Sequence, residues 1–180
     1  MHFSIQTSQP KNNAKFCSED KKLSEAIETI FPMMTEDGLI IWNTIRIPLS
    51  YKYDISYMIE DILCMLRAIR ENHDGGKLKI DWPSDTFACR WKLTWDRKNL
   101  AIDSDWRSVS GNIEQLLNKN NKIIIDSMDF VREWKMLLRV LITNLRQCGY
   151  NECSLIDMSE LINEFRHIDR YGSLYQMTGP

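Results

Sequence analysis

The segment 87–108, FACRWKLTWDRKNLAIDSDWRS, constrains the fold most strongly, because its first half alternates with a strict period of two. One parity carries the apolar side chains, which are Phe87, Cys89, Trp91, Leu93 and Trp95. The other carries Ala88, Arg90, Lys92, Thr94 and Asp96. Such alternation is typical of a strand with one face on the core and the other in water. We therefore predict a half-buried strand of an antiparallel sheet.

A hairpin closed by a turn at 96–99 determines which residues meet across the strands. On one face the paired residues are apolar: Trp95 with Leu100, Leu93 with Ile102, and Cys89 with Trp106. On the opposite face they are of opposite charge: Arg90 with Asp105, and Lys92 with Asp103. The tryptophans of this segment are therefore predicted to be core residues.

The basic residues of this region raise the alternative of a nucleic-acid-binding regulator. Residues 76–110 contain seven Lys/Arg against five Asp/Glu, and the candidate contacts are Lys77, Lys79, Arg90 and Lys92. A surface that binds single strands places aromatic rings beside cations, so that bases stack while phosphates are neutralised. Here rings and cations occupy opposite parities. The pattern therefore favours a sheet core with a solvated charged face, and nucleic acid is not the expected partner.

The rest of the chain predicts a single α+β domain over residues 1–180. Its antiparallel sheet is expected to comprise a three-strand meander at about 77–107 and a strand at about 39–48, packed with helices at about 18–31, 55–73, 128–148 and 159–170. The expected N-caps of the first three helices are Ser18, Asp54 and Ser127. Residues 1–17 are expected to be irregular or to form a short strand, and a short helix near 112–117 and a strand at 122–126 complete the pattern.

Charge and cysteine content bear on the compartment. The formal net charge is −2, and no apolar run has the length of a signal peptide or a membrane span. The five cysteines are an odd number without metal-site spacing: Cys17, Cys64, Cys89, Cys148 and Cys153. Free thiols in a reducing compartment explain them best. We therefore expect a cytoplasmic protein with no disulfide and no membrane partner.

No local motif for a metal site, a phosphate loop or an activated nucleophile occurs in the sequence. The histidines, His2, His73 and His167, lie far apart along the chain. The sequence therefore predicts no cofactor and a protein that is not an enzyme. A hydrolase or transferase that assembles distant residues around His73 or His167 is the second alternative.

A tyrosine-rich, acidic cluster lies where the strand at 39–48 is followed by a predicted helix. Its members are Tyr51, Tyr53, Asp54, Tyr57, Glu60 and Asp61. Exposed tyrosines beside acidic groups are common in protein-binding surfaces. The alternative is that two of the tyrosines pack on the sheet and the acids only favour the helix N-terminus. We take the cluster as the candidate partner-binding patch.

Three features together carry a resemblance: a slightly acidic, motif-poor α+β chain rich in Asn, Ile and Lys, the long segment DFVREWKMLLRVLITNLRQCGY, and the ending RYGSLY. With these the chain resembles the small cytosolic immunity proteins of bacterial contact-dependent growth inhibition and other polymorphic toxin systems. The resemblance implies a protein that binds one cognate toxin domain, often a basic nuclease, and blocks its active site or substrate surface. Acidic and aromatic side chains would make that contact.

Overall fold

The computed structural model describes residues 2–176 and the side chains of residues 2–168. Its fold is mixed α+β, as predicted, but the strands form two antiparallel sheets rather than one, because the region 39–48 pairs with the N-terminal strand and not with the meander at 77–107. The strands are β1 (Phe3–Gln6), β2 (Gly38–Trp42), β3 (Ile45–Leu49), β4 (Gly75–Ser84), β5 (Phe87–Asp96), β6 (Asn99–Val109) and β7 (Lys122–Asp126). The helices are α1 (Leu23–Ile30), α2 (Ser56–Glu71), α3 (Glu114–Lys119), α4 (Ser127–Glu133), α5 (Lys135–Gln147) and α6 (Met158–Gln176). Met1, residues 177–180 and the side chains of the RYGSLY ending lie outside the described part.

The larger sheet has the order β4-β5-β6-β7, and every neighbouring pair is antiparallel. The predicted register of the β5–β6 hairpin is confirmed, including Trp95 opposite Leu100 and Cys89 opposite Trp106. Trp91, Trp95 and Trp106 are buried on one face of the sheet, as the alternation predicts. The strand predicted at 122–126 extends the meander to four strands.

Arg90 on the outer face of this sheet bonds to Asp81 of β4 rather than to Asp105 of β6. The register places Arg90 opposite both aspartates, and its Nε lies 2.8 Å from Oδ1 of Asp81. Nη2 of Arg107 donates to the same oxygen at 2.8 Å. Both hydrogen bonds hold the pKa of the Asp81 carboxyl below its usual value, and the bond from Arg90 has the larger effect.

The smaller sheet has the order β1-β2-β3, and it divides the region predicted as one strand at 39–48 into two. The chain reverses at Asn43 and Thr44, whose φ angles are +47° and +73°. Two left-handed residues in succession make the turn that matches the twist of a two-residue hairpin. Asn adopts this conformation readily but the β-branched Thr44 does not, so the pair does not stand out as a hairpin signal in the sequence.

The helices begin and end at positions set by side-chain caps. Glu25 accepts hydrogen bonds from the backbone of Lys22 and of the preceding residue, so α1 begins at Leu23 and not at the predicted Ser18. Asp126, not Ser127, caps α4, because its carboxylate accepts from the N–H groups of Met128 and Asp129. The helix predicted at 128–148 is interrupted at Trp134, between α4 and α5.

A cluster of aromatic rings joins the two sheets. Trp91 of β5 is its centre, with ring centroids 6.1 Å from Phe3 of β1, 5.5 Å from Trp42 of β2 and 5.2 Å from Trp82 of β4. Several of these contacts are edge-to-face, the geometry that the quadrupoles of aromatic rings favour. The buried residues of both sheets and of the helices form one contiguous core around this cluster.

All five cysteines are free thiols. Burial raises the pKa of the Cys89 thiol far above its usual value, so this side chain is a neutral core residue. No helix within residues 2–176 combines the length and the apolar character that crossing a bilayer requires.

We predict that Trp91→Ala lowers the free energy of unfolding by about 3–5 kcal/mol, because it leaves a cavity between the sheets. Thr94→Ala, which alters the exposed face of the same strand, is the control and is expected to cost less than about 1 kcal/mol. Urea denaturation measures both. Equal losses for the two variants would contradict the central position of Trp91.

Candidate partner-binding surface

The six residues predicted as a patch lie around the start of α2, where the chain forms a π-helical turn, Tyr51–Ile55, before the regular helix. Ser50 precedes this turn, and its Oγ accepts from the Tyr53 N–H at 3.4 Å. Asp54 Oδ2 in turn accepts from the Ser50 N–H at 2.7 Å. The helical segment therefore starts one turn earlier than the N-cap prediction for Asp54 implied.

Asp54 is a buried structural residue with a relative exposure of 1%. Its Oδ1 accepts hydrogen bonds from the hydroxyl groups of Ser84 and Thr86, which lie at the turn between β4 and β5. With the Ser50 N–H, three donors converge on this carboxylate. Hydrogen bonds from three donors offset the solvation that a carboxylate loses when it is buried. Asp54 thus ties the start of α2 to the larger sheet and cannot contact a partner.

Tyr51 is also buried, and its ring packs against Phe31 at the end of α1, with centroids 5.0 Å apart. Burial raises the pKa of its hydroxyl. The contact fixes α1 beside the π-helical turn. The alternative that tyrosines of the cluster pack on the core therefore holds for Tyr51.

The other four residues of the predicted patch face outward along one side of the helical segment: Tyr53, Tyr57, Glu60 and Asp61. Spacings of three and four residues place them on one helix surface. Tyr53 is 37% exposed and Tyr57 is 57% exposed. Partial desolvation and the neighbouring Glu60 raise the pKa of the Asp61 carboxyl. The structure therefore keeps two tyrosines and two acids together at the surface and separates them from Tyr51 and Asp54.

Tyr57 and Glu60 also line an open groove between the starts of α1, α2 and α6, with a volume of about 540 Å³. The complete lining is Lys22, Ser24, Glu25, Glu28, Ser56, Tyr57, Glu60 and Asp157. Four carboxylates face one ammonium group, so the lining carries a formal charge of −3 (−4 + 1). We call this site the acidic groove.

Backbone contacts hold two of these carboxylates in place. Glu25 accepts from the N–H groups of Lys21 and Lys22 at 2.7 and 3.1 Å, and these bonds lower its pKa. Glu60 accepts from the Ser24 N–H at 3.2 Å, so a side chain of α2 bonds to the first turn of α1. Within the described side chains, no cation forms an ion pair with Glu28. Nζ of Lys52 donates to the backbone carbonyl of Glu28 at 2.6 Å, so an ammonium group lies beside this residue, and the negative charge of the groove is fixed and only partly compensated.

An exposed apolar residue flanks the groove on the α6 side. Ile156 is 77% exposed, and its N–H donates to the carbonyl oxygen of Lys21 at 3.2 Å, which places it beside the start of α1. Together with Tyr57 it provides apolar surface next to the charged lining. Sequence reasoning missed Ile156, Glu25, Glu28 and Asp157, because only the folded chain brings α6 to the start of α1.

The candidate residues for the nucleic-acid-binding and enzyme alternatives do not line the acidic groove. The candidate nucleic-acid contacts Lys77, Lys79, Arg90 and Lys92 lie on the outer face of the larger sheet, and the tryptophans of that sheet point into the core. His73 lies at the surface beside Asp74, with Nε2 3.4 Å from its carboxylate, and His167 lies on α6. Among the described residues, no group of three or more His, Cys, Asp or Glu is placed to hold a metal ion.

We predict that Asp54→Ala destabilises the protein by about 3 kcal/mol, because it leaves the Ser84 and Thr86 hydroxyls and the Ser50 N–H without their acceptor. Asp61→Ala, seven residues along the same helical segment and exposed, is the control and is expected to change stability by less than about 0.5 kcal/mol. Thermal and urea unfolding of both variants measure the difference. A wild-type midpoint for Asp54→Ala would show that this carboxylate does not tie α2 to the sheet.

No protein-family model, curated protein or solved structure matches this chain.

Proposed function

We propose that this protein is a protein-binding module, and specifically an immunity protein that acts in the bacterial cytoplasm by binding and neutralising a cognate toxin domain through its acidic groove. The proposal keeps Tyr57 and Glu60 from the predicted patch as contacts, with Tyr53 and Asp61 on the same helix surface. Tyr51 and Asp54 support this surface from within the core.

The observation that carries the proposal is the combination of fixed carboxylates with an exposed tyrosine in one concave surface. Glu25 and Glu60 are held by backbone N–H groups, so little side-chain entropy is lost when they meet a cation. Tyr57 lines the same groove, Ile156 precedes the lining residue Asp157, and both side chains are exposed. Tyrosine is a frequent hot-spot residue, and apolar side chains next to charges are typical of protein interfaces.

The charge of the groove indicates the chemistry of the partner. A formal charge of −3 in a concave lining attracts Lys and Arg side chains and accelerates encounter with a basic surface. Nuclease domains carry such surfaces because they bind phosphates. On this proposal the acidic groove covers the basic substrate surface of the toxin domain. It thereby competes with nucleic acid for the Lys and Arg side chains of that surface.

We expect the protein to bind a toxin domain encoded in the neighbouring reading frame, with an affinity that falls as salt screens the groove. Tyr57→Ala is expected to weaken the complex by roughly 2 kcal/mol, or about 30-fold in Kd, without changing the unfolding midpoint. Glu28→Lys is expected to slow association more than it speeds dissociation. Titration calorimetry and surface plasmon resonance measure these quantities.

Leu116→Ala is the control for this experiment, because Leu116 is an exposed apolar residue (48%) on α3, which does not line the groove. Its Kd is expected to equal that of the wild-type protein. Normal binding by both Tyr57→Ala and Glu28→Lys would remove the groove from the proposal. Turnover by the isolated protein that a single His73 or His167 substitution abolishes would replace the proposal with the enzyme alternative.

A further inference from the structure

The four edge strands of the two sheets differ in how they are protected against pairing with another chain. Within residues 2–176, three of them carry protective features, and the fourth is protected only at its ends, by the Asn43 side chain at Lys122 and by α4 after Asp126. The N–H of Ile5 in β1 donates to Glu133 Oε2 at 2.9 Å, β3 contains Pro48, and β4 carries exposed lysines together with Pro83. Proline, lysine and covered backbone groups are the usual means of blocking an edge. The fourth edge, β7, has the sequence KIIID, and its central Ile124 is 67% exposed.

The hydrogen bonds that flank β7 show which of its backbone groups point outward. The N–H of Ser127 donates to the carbonyl of Lys98, and the N–H of Ser104 donates to the carbonyl of Asn121, each at 2.9 Å. In an antiparallel pair, hydrogen-bonded residues alternate with residues that point away. Ile123 and Ile125 therefore bond to β6.

The N–H and C=O groups of Lys122 and Ile124 and the N–H of Asp126 consequently lie along the free edge, whereas the C=O of Asp126, the N-cap residue, accepts the first hydrogen bond of α4. Asn43 Nδ2 donates to the carbonyl of Lys122 at 2.9 Å, and that oxygen retains a second acceptor position. Among the described residues, no hydrogen bond outside β6 engages the backbone of Ile124. The centre of β7 is therefore an unpaired strand edge that carries an exposed apolar side chain.

The sequence of β7 is complementary to itself in the antiparallel direction. If two copies pair about Ile124, this residue meets its counterpart, and Lys122 meets Asp126 of the second copy. Ile124 then exchanges both backbone hydrogen bonds with its counterpart, and the N–H of Asp126 faces the carbonyl of Lys122 in the second copy, because residues at a spacing of two share one edge. Opposite charges directly across a strand pair are stabilising, and like charges are destabilising. The same pattern in a parallel pair would place Lys122 against Lys122.

From this complementarity we propose that β7 is a homodimer interface, in which two copies pair antiparallel across a two-fold axis at Ile124 and join their larger sheets into one. A two-fold axis at Ile124 brings opposite ends of the strand together, and with them the opposite charges of Lys122 and Asp126. This surface is separate from the acidic groove, so one dimer presents two grooves.

Cross-linking at the axis tests the geometry directly. In a hydrogen-bonded antiparallel pair the Cα atoms lie about 5.5 Å apart, a separation that a disulfide spans. In a background with the exposed Cys64 and Cys153 replaced by serine, Ile124→Cys is expected to form a covalent dimer at least tenfold faster than Thr94→Cys. Thr94 is exposed on the same sheet face but away from the axis. Equal cross-linking rates would overturn the proposal.

Sedimentation velocity over a range of protein concentrations supplies the second test. The wild-type protein is expected to double its mass as concentration rises. Ile124→Pro removes an N–H that the fold does not use and fixes the φ angle of this edge residue, and it is expected to weaken the dimer at least tenfold. Lys122→Glu, which sets like charges against Asp126 across the axis, is expected to act in the same direction.

Lys77→Glu makes the same charge change on the opposite edge strand, β4, and is expected to leave the dimer unchanged. The Lys77→Glu result separates pairing at β7 from a general effect of charge on association. If Ile124→Pro fails to fold, Lys122→Glu still tests the interface. A monomeric wild-type protein at every concentration would overturn the proposal, as would a dimer that Lys122→Glu does not weaken. None of these measurements involves the toxin partner, so their failure is distinct from failure of the proposed function.

Discussion

Ring-on-ring packing between the two sheets is the contact on which the rest of the structure depends. The strands of the smaller sheet have four or five residues each, and a sheet of such short strands is not stable unless one face is covered. Phe3 and Trp42 provide that face, and Trp91 of the larger sheet covers it. Phe130 and Trp134 continue the cluster toward α4. Because rings are large and rigid, the cluster fixes the separation of the sheets and the place of α4 beside them.

Buried contacts at the start of α2 connect this core to the surface. The Asp54 carboxylate attaches the helix to the β4–β5 turn, and Tyr51 attaches it to α1 through Phe31. The orientation of Tyr57 and Glu60 follows from these two attachments, since all four residues belong to one helical segment. The shape of the groove is therefore set by residues that do not line it. Substitution at a buried position can change this shape without altering the lining.

Much of the fold follows from local pattern. The alternation around Trp91 predicts which face of the β5–β6 hairpin is buried, and the turn at 96–99 then predicts its register. The smaller sheet is harder to predict, because the apolar pattern at 39–48 continues through the turn between β2 and β3. Thr44 occupies a left-handed position in that turn, which this residue type rarely adopts. The placement of the candidate patch residues follows only in part from the sequence. Helical spacing identifies Tyr53 and Tyr57 as neighbours, but burial of Asp54 depends on Ser84 and Thr86, which reach it only through the tertiary fold.

The hydrogen bond between the Glu60 carboxylate and the Ser24 N–H makes the hydrogen-exchange rate of this amide depend on what occupies the acidic groove. This amide belongs to the first turn of α1, where backbone N–H groups have no partner within the helix, so its protection from solvent depends on the Glu60 carboxylate. A cation that enters the groove competes for the same oxygen atoms, while a bulky partner shields the whole turn from water. Amide hydrogen exchange at a single residue thereby distinguishes occupancy by small basic ligands, which accelerates exchange, from docking of a folded protein, which slows it.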